Sequence, residues 1–225
     1  MEYFSYGGNN VSDINRCIDH TLLKADATKE RIEKLCSEAL EYNFKTVCVN
    51  SCWVPLCKDL LKDSEVGVCC VIGFPLGATT TKSKAFEAKD AIDLGADEID
   101  MLLNIGKLKD QDLEYVTNDI TQVKKAIGDH VLKVIIETCL LSDDEKIEAC
   151  KCIKNANADF VKTSTGFSTS GATIYDVKLL KKTVGDELLV KAAGGVKTHQ
   201  DLLDMIDSGA DRIGTSSGVK LIKNE

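Results

Sequence analysis

Three segments of the chain repeat one another, and that repetition limits the fold more than any other feature. Gly95-Ala96-Asp97-Glu98-Ile99-Asp100, Asn157-Ala158-Asp159-Phe160-Val161-Lys162 and Gly209-Ala210-Asp211-Arg212-Ile213-Gly214 each follow a helix-like stretch. Each reads Ala-Asp, then a two-residue step ending in Ile or Val, then one distinctive residue: Asp100, Lys162 or Gly214. Two strand–helix units separate consecutive copies, so one supersecondary unit has been iterated. In a barrel the three distinctive residues stand at equivalent strand ends around one mouth.

The rest of the chain supplies the missing units. Short apolar runs predict strands at Arg16–His20, Thr46–Val49, Val66–Ile72, Glu98–Leu103, Leu132–Ile136, Phe160–Lys162, Leu188–Ala193 and Arg212–Gly214. They are apolar without polar alternation, as parallel strands buried on both faces are. Helical patterns lie between them. Thr28 caps one that runs to about Tyr42, with Ile32, Leu35, Cys36, Ala39 and Leu40 on a single face. Leu113, Val116, Ile120, Val123 and Ile127 mark another, ended by Gly128. Eight such units predict an α/β chain folded as a (β/α)8 TIM barrel over about residues 16–218. No GxGxxG or P-loop supports an open dinucleotide-binding sheet. No Pro/Ser-rich linker divides the chain, so residues 1–225 read as one domain, with residues 1–12 as a short extension.

Composition removes several classes of partner. With 28 Lys and Arg against 36 Asp and Glu, the net charge is −8, which argues against nucleic acid or an anionic membrane. An anionic substrate would need locally positive groups against that field. No stretch approaches the ~18 apolar residues of a membrane span. The first residues lack a basic and then apolar leader pattern, so no signal peptide is expected. The ten cysteines form no CxxC pair; Cys48, Cys69 and Cys70 sit in apolar runs, as reduced thiols in a reducing, cytoplasmic compartment would. His20, His130 and His199 are too scattered to suggest a metal site.

The chemistry is expected at the strand ends. The first strand offers Asp19, His20 and Thr21, the second Cys48, the fourth Asp100. The sixth ends in Lys162 and opens into Thr163–Gly166; the seventh carries Lys191, then Gly194, Gly195 and Lys197. The eighth leads into Gly214, Ser216 and Ser217. Barrels commonly hold phosphate between the last two loops, and small residues there allow close backbone approach. Two lysines and a carboxylate at one mouth suit Schiff-base carbonyl chemistry, because a lysine is nucleophilic only as the free amine and a neighbouring cation favours that form. The residues alone also allow a structural Asp–Lys ion pair and plain βα turns.

The segments IDHTLLKADAT, VCVN, GFPLGAT, EIDMLLN, VKTSTGF, KAAGGVKT and GADRIGTSSG occur in this order from Ile18 to Gly218. Together they resemble the class I deoxyribose-phosphate aldolase family, and VKTSTG with KAAGGV at this distance is the specific part. The resemblance implies reversible cleavage of 2-deoxy-D-ribose 5-phosphate to glyceraldehyde 3-phosphate and acetaldehyde. It implies Lys162 as the Schiff-base lysine, Lys191 as the proton-relay lysine and Asp100 as the general acid/base, with no metal or organic cofactor. Asp19, Thr21, Cys48, Thr165, Gly166, Gly194, Gly195, Lys197, Gly214, Ser216 and Ser217 are the expected substrate-binding residues. The sequence stops soon after Lys220–Glu225, without the longer tail that in some members ends in a tyrosine reaching the site, and the resemblance therefore leaves a tail contribution open. The partner is then a small phosphorylated sugar, and a homodimer or higher homo-oligomer is compatible with this reading. The alternatives are a phosphosugar isomerase or epimerase working through carboxylate or histidine bases, and a non-catalytic phosphate-binding barrel.

Overall fold

The computed structural model describes residues 11–224. Its strands are β1 (Ile18–Leu22), β2 (Thr46–Val49), β3 (Gly67–Ile72), β4 (Glu98–Leu102), β5 (Val131–Ile135), β6 (Phe160–Lys162), β7 (Leu189–Ala193) and β8 (Arg212–Thr215). They close in sequence order into one parallel barrel. The helices are α1 (Lys29–Glu41), α2 (Val54–Leu61), α3 (Thr81–Asp93), α4 (Ile105–Lys109), α5 (Leu113–Ile127), α6 (Asp143–Asn155), α7 (Ile174–Val184), α8 (His199–Asp207) and α9 (Gly218–Lys223). This is the (β/α)8 barrel that the alternation of apolar runs predicts. Of the expected extension, residues 1–10 lie outside the described residues, and Val11 opens a 3-10 helix that runs to Cys17.

Local signals set the helix starts. The Thr28 hydroxyl accepts from Arg31 N–H, and Ser142 and Glu145 cap each other reciprocally at the start of α6, each cap worth about 1 kcal/mol. Helix α5 buries Val116, Ile120, Val123 and Ile127, at roughly 1.5–3 kcal/mol per side chain removed from water. Leu40 departs from expectation. It lies at the edge of the apolar stripe of α1 and is 43% exposed, while Ile32, Leu35, Cys36 and Ala39 are buried. Helices α4 and α9 are too short to show a helical period. Seven of the ten cysteines (Cys36, Cys48, Cys57, Cys69, Cys70, Cys150 and Cys152) are buried.

The threefold repeat has a physical function at the base of the barrel. The carboxylates of Asp97, Asp159 and Asp211 accept the backbone N–H of Val68, Leu132 and Val190 at 2.8, 2.7 and 2.8 Å. Each thereby ties the loop before one strand to the strand preceding it. Lys58, Lys124 and Lys181 from α2, α5 and α7, the helices that precede β3, β5 and β7, pair with the same three carboxylates. The clamp puts Asp100, Lys162 and Gly214 at the third position of β4, β6 and β8, so the repeat does mark equivalent barrel positions.

Lys162 does end β6, whereas Asp100 and Gly214 stand inside their strands, and all three positions face the barrel interior. Strand pairing and period-two side-chain alternation stack the interior in layers of four. Thr46, Glu98, Phe160 and Arg212 form the lowest, from even-numbered strands. Asp19, Cys69, Lys133 and Lys191 come next, from odd-numbered strands, and Cys48, Asp100, Lys162 and Gly214 lie above. Barrel layers are ordinarily built from branched apolar residues. Seven of these twelve side chains are charged instead, and burying charge costs several kcal/mol per ion before pairing.

Candidate active site

The charged layers form one connected cluster beneath a cavity. Asp100 is its hub. Its Oδ2 lies 2.6 Å from Lys162 Nζ and 2.7 Å from Lys191 Nζ. Its Oδ1 accepts from Lys133 Nζ at 2.9 Å and from the Cys69 thiol at 3.1 Å. Lys191 Nζ also makes an ion pair with Asp19 Oδ2 at 2.5 Å. Asp19 Oδ1 accepts from Arg212 at 2.6 Å and from the Thr46 hydroxyl at 2.7 Å. Glu98 bridges Arg212, at 2.9 Å, and Lys133, at 2.5 Å. The Phe160 ring lies against Lys133 and Arg212.

Burial works against the Asp100 carboxylate, but Lys133, Lys162 and Lys191 outweigh it and hold the carboxyl well below its ordinary range. Asp19 follows the same logic: burial raises its pKa, and Lys191 and Arg212 pull it below the usual carboxylate range. Burial lowers the pKa of Lys191 and Lys133, but the facing carboxylates overcome it and keep both ammonium groups charged above the normal lysine value. Among the described residues, Cys48, Cys69 and Asp100 offer sulfur and oxygen atoms within 4.8 Å of one another. Three ammonium groups already surround that oxygen set, so it does not suit a divalent cation.

Lys162 is the member of the cluster that reaches the cavity above. That cavity holds about 440 Å³ and is lined by Lys162 with Thr21, Thr165, Gly166, Gly194, Gly195, Lys197, Gly214, Ser216 and Ser217. The expected binding residues therefore converge, with two exceptions. Asp19 and Cys48 are fully buried beneath the floor and do not line it. The first strand starts two residues later than expected, which makes Asp19 its second residue and sinks it into the barrel. Cys48 is the third residue of β2 and packs with Leu23, Cys69 and Val71.

The cavity wall depends on glycine where two loops touch. Ala172 N–H donates to Gly194 O at 3.0 Å, and a Cβ on Gly171 would lie 2.3 Å from the same oxygen. A Cβ on Gly214 would lie 3.1 Å from Lys191 Cε, so that glycine leaves room for the lysine. The N-terminus of α8 is taken up by its own cap. Lys197 and Thr198 N–H groups donate to Asp201, which caps α8. Positive charge comes from side chains instead: Lys24 and Lys220 line the cavity with Lys162 and Lys197, and no carboxylate or histidine is among the described residues that line it.

Several contributors escaped the sequence reading. Lys133 was legible only as a lysine inside the apolar run Val131–Ile135. Glu137 gave no signal. It is buried with φ +53° and accepts the Thr165 backbone N–H at 3.2 Å and hydroxyl at 2.5 Å. Lys24 and Phe167 reach the cavity from loops and Lys220 from α9.

A parallel barrel whose cavity floor presents one amine, backed from below by a buried carboxylate and a second amine, is an enzyme scaffold for amine–carbonyl chemistry. The sequence pattern of the DeoC/LacD family aldolases matches residues 15–224. A Finegoldia magna protein named deoxyribose-phosphate aldolase is 60% identical over 211 residues, covering 94% of this chain and 99% of that protein. A Streptococcus uberis protein of the same name is also 60% identical, over 94% of this chain and 96% of its own. The structure of the Aeropyrum pernix deoxyribose phosphate aldolase, described as tetrameric, superposes with a TM-score of 0.86 at 32% identity, covering 94% of this chain and 90% of that one. The chain belongs to the DeoC/LacD aldolase family and is a lyase.

Proposed function

We propose that this chain is a class I aldolase that reversibly cleaves 2-deoxy-D-ribose 5-phosphate to D-glyceraldehyde 3-phosphate and acetaldehyde, with Lys162 as the imine-forming residue. The observation that supports this most directly is the position of Lys162 Nζ: it lines the cavity floor and lies 2.6 Å from Asp100 Oδ2, an oxygen it shares with Lys191. The free amine adds to the substrate aldehyde carbon, and the carbonyl oxygen departs as water. Loss of the C3 hydroxyl proton then breaks the C2–C3 bond, and the electron pair moves into an enamine on Lys162 as glyceraldehyde 3-phosphate leaves. A proton returned to C2 and addition of water release acetaldehyde and the amine. Asp100 and Lys191 are the proton-handling pair in this reading.

Ser216, Ser217, Gly194, Gly195 and Lys197 bind the phosphate, and Thr21, Thr165 and Gly166 bound the sugar. The absence of carboxylate and histidine from the described lining disfavours the isomerase alternative, which needs such a base at the substrate. A cytoplasmic, homo-oligomeric enzyme fits the free cysteines and the assembly described for the Aeropyrum pernix protein. Among the described residues no helix is long and apolar enough to cross a membrane.

The test is borohydride reduction in the presence of substrate, followed by mass mapping. A reduced adduct on the Lys162 peptide is expected, and it should vanish in Lys162→Arg, which keeps the charge but lacks a usable amine. An adduct on another lysine, or more than a few percent of activity left in a folded Lys162→Arg, overturns the assignment.

A further inference from the structure

We propose that Lys133, which never reaches the cavity, is a positioning residue that reserves one oxygen of Asp100 for proton transfer and supplies the positive charge by which the buried cluster exceeds neutrality. The inference rests on the reading of Lys162 as the imine lysine.

Lys133 is fully buried, and β4–β5 pairing sets it directly beside Asp100. It holds Asp100 Oδ1 together with the Cys69 thiol, whereas Lys162 and Lys191 share Oδ2. The carboxylate is thus held at one oxygen and chemically engaged at the other. A partial turn of the carboxylate plane away from Lys162 and Lys191 would stretch both contacts on the Oδ1 side.

The charge count gives Lys133 a second effect. Seven charged groups face one another across the interior: Asp19 from β1, Glu98 and Asp100 from β4, Lys133 from β5, Lys162 from β6, Lys191 from β7 and Arg212 from β8. Cys69 on β3 adds a thiol whose pKa burial pushes well up, and Cys48 on β2 hydrogen-bonds to it. Four cations stand against three carboxylates, an excess of one. The cluster becomes neutral when one lysine gives up its proton, and Lys162 is the cation among them that lines the cavity. Lys191 and Arg212 are each held by two carboxylates. Removing Lys133 leaves three cations and three carboxylates, a balance that needs Lys162 charged and therefore opposes imine formation.

Three variants separate charge from positioning. Lys133→Met removes both. Lys133→Met/Glu98→Gln removes an ion pair as a neutral unit, restoring the excess of one while Asp100 Oδ1 loses its lysine; it also spares the fold a Glu98 left with Arg212 as its one cation. Glu98→Gln alone raises the excess to two. Imine formation is read by borohydride trapping with acetaldehyde across pH, and proton transfer by exchange of the acetaldehyde methyl hydrogens with solvent deuterium. In Lys133→Met the trapping midpoint should move about one pH unit or more alkaline. In the double variant it should return to that of the wild type, while deuterium exchange stays down by about a hundredfold, the scale of a lost acid–base contribution. Glu98→Gln should move the midpoint toward acid. The phosphorylated substrate's KM should barely change in any of them.

A wild-type trapping profile in folded Lys133→Met, or in Glu98→Gln should Lys133→Met fail to fold, overturns the charge role. Wild-type deuterium exchange in the double variant overturns the positioning role. Loss of trapping from Lys162 in the wild-type protein would instead remove the underlying reading, which keeps the two failures apart.

Discussion

Asp19 Oδ2 lies 2.5 Å from Lys191 Nζ, and its other oxygen lies 2.6 Å from Arg212. A residue expected at the cavity wall is therefore an anchor below it, holding Lys191 against the barrel floor. Asp19→Asn should leave Arg212 and Lys191 under-compensated in a dry interior. Breaking a buried pair from one side costs about 3–5 kcal/mol. A fall in Tm of that origin is expected, together with reduced kcat because Lys191 loses its anchor. A variant with wild-type Tm would mean that Asp19 carries no such load.

Acid stability follows from the same two carboxyls. Asp19 and Asp100 both have folded pKa values below the unfolded value of about 3.9. For a depressed carboxyl the stabilisation is complete above the unfolded pKa and is lost as pH falls through the folded one. The protein should hold a near-constant Tm down to about pH 4 and lose stability progressively below it. In Asp19→Asn the curve should start lower at pH 7 and fall less steeply in acid. Parallel curves for the two proteins would contradict the linkage.

The phosphate cradle can be tested by putting charge into it. Ser217→Asp sets a carboxylate beside the proposed phosphate position, in a cavity whose described lining carries Lys24, Lys197 and Lys220 but no acid. Like-charge contact in a partly desolvated site should cost several kcal/mol of phosphate binding. KM for the phosphorylated sugar should rise strongly, and that for unphosphorylated deoxyribose only slightly. Equal losses on both sugars would move the phosphate elsewhere.

Lys24 and Lys220 should matter through longer-range attraction. Both are exposed, and screened pairs of this kind are worth about 0.2–1 kcal/mol each. Lys24→Ala/Lys220→Ala should raise KM for the phosphorylated substrate several-fold at low salt, with kcat kept. The difference should shrink at 1 M salt, where the Debye length falls to about 3 Å. A salt-independent rise in KM would point to altered loop structure instead.

The sequence reading succeeded where local chemistry decides the outcome. Strands β2 and β6 and the caps Thr28 and Ser142 stand where the patterns put them, because a hydroxyl cap or an unbroken apolar run acts within a few residues. The repeat was legible for the same reason, since its aspartates bond to the adjacent strand. Depth in the barrel was not legible. Period two tells which residues face inward but not which layer they occupy, and layer follows from strand stagger. Asp19 and Cys48 were therefore set too high, and the lower charges Glu98, Lys133 and Arg212 were passed over. Lys24 and Lys220 come together only when the β1–α1 loop and α9, distant in sequence, converge on one cavity.

The last prediction concerns Lys191, which makes ion pairs with both Asp19 and Asp100. Lys191→Leu removes one cation, leaving Lys133, Lys162 and Arg212 against Asp19, Glu98 and Asp100. The balance of three against three no longer favours an uncharged amine at the cavity floor, so imine trapping on Lys162 should need more alkaline pH. Cleavage should be low at pH 7 and recover only in part as pH rises, because the proton path through Asp100 has lost a member. Disturbance of the loop at Gly194 and Gly195 would also lower activity, but it would act through phosphate binding and raise KM at every pH. Lys191→Leu/Asp19→Asn distinguishes the causes further: it restores an excess of one cation without restoring the relay. Trapping should then return toward neutral pH while kcat stays depressed. A trapping profile that is unchanged in the single variant would leave Lys191 as a proton carrier with no influence on the nucleophile.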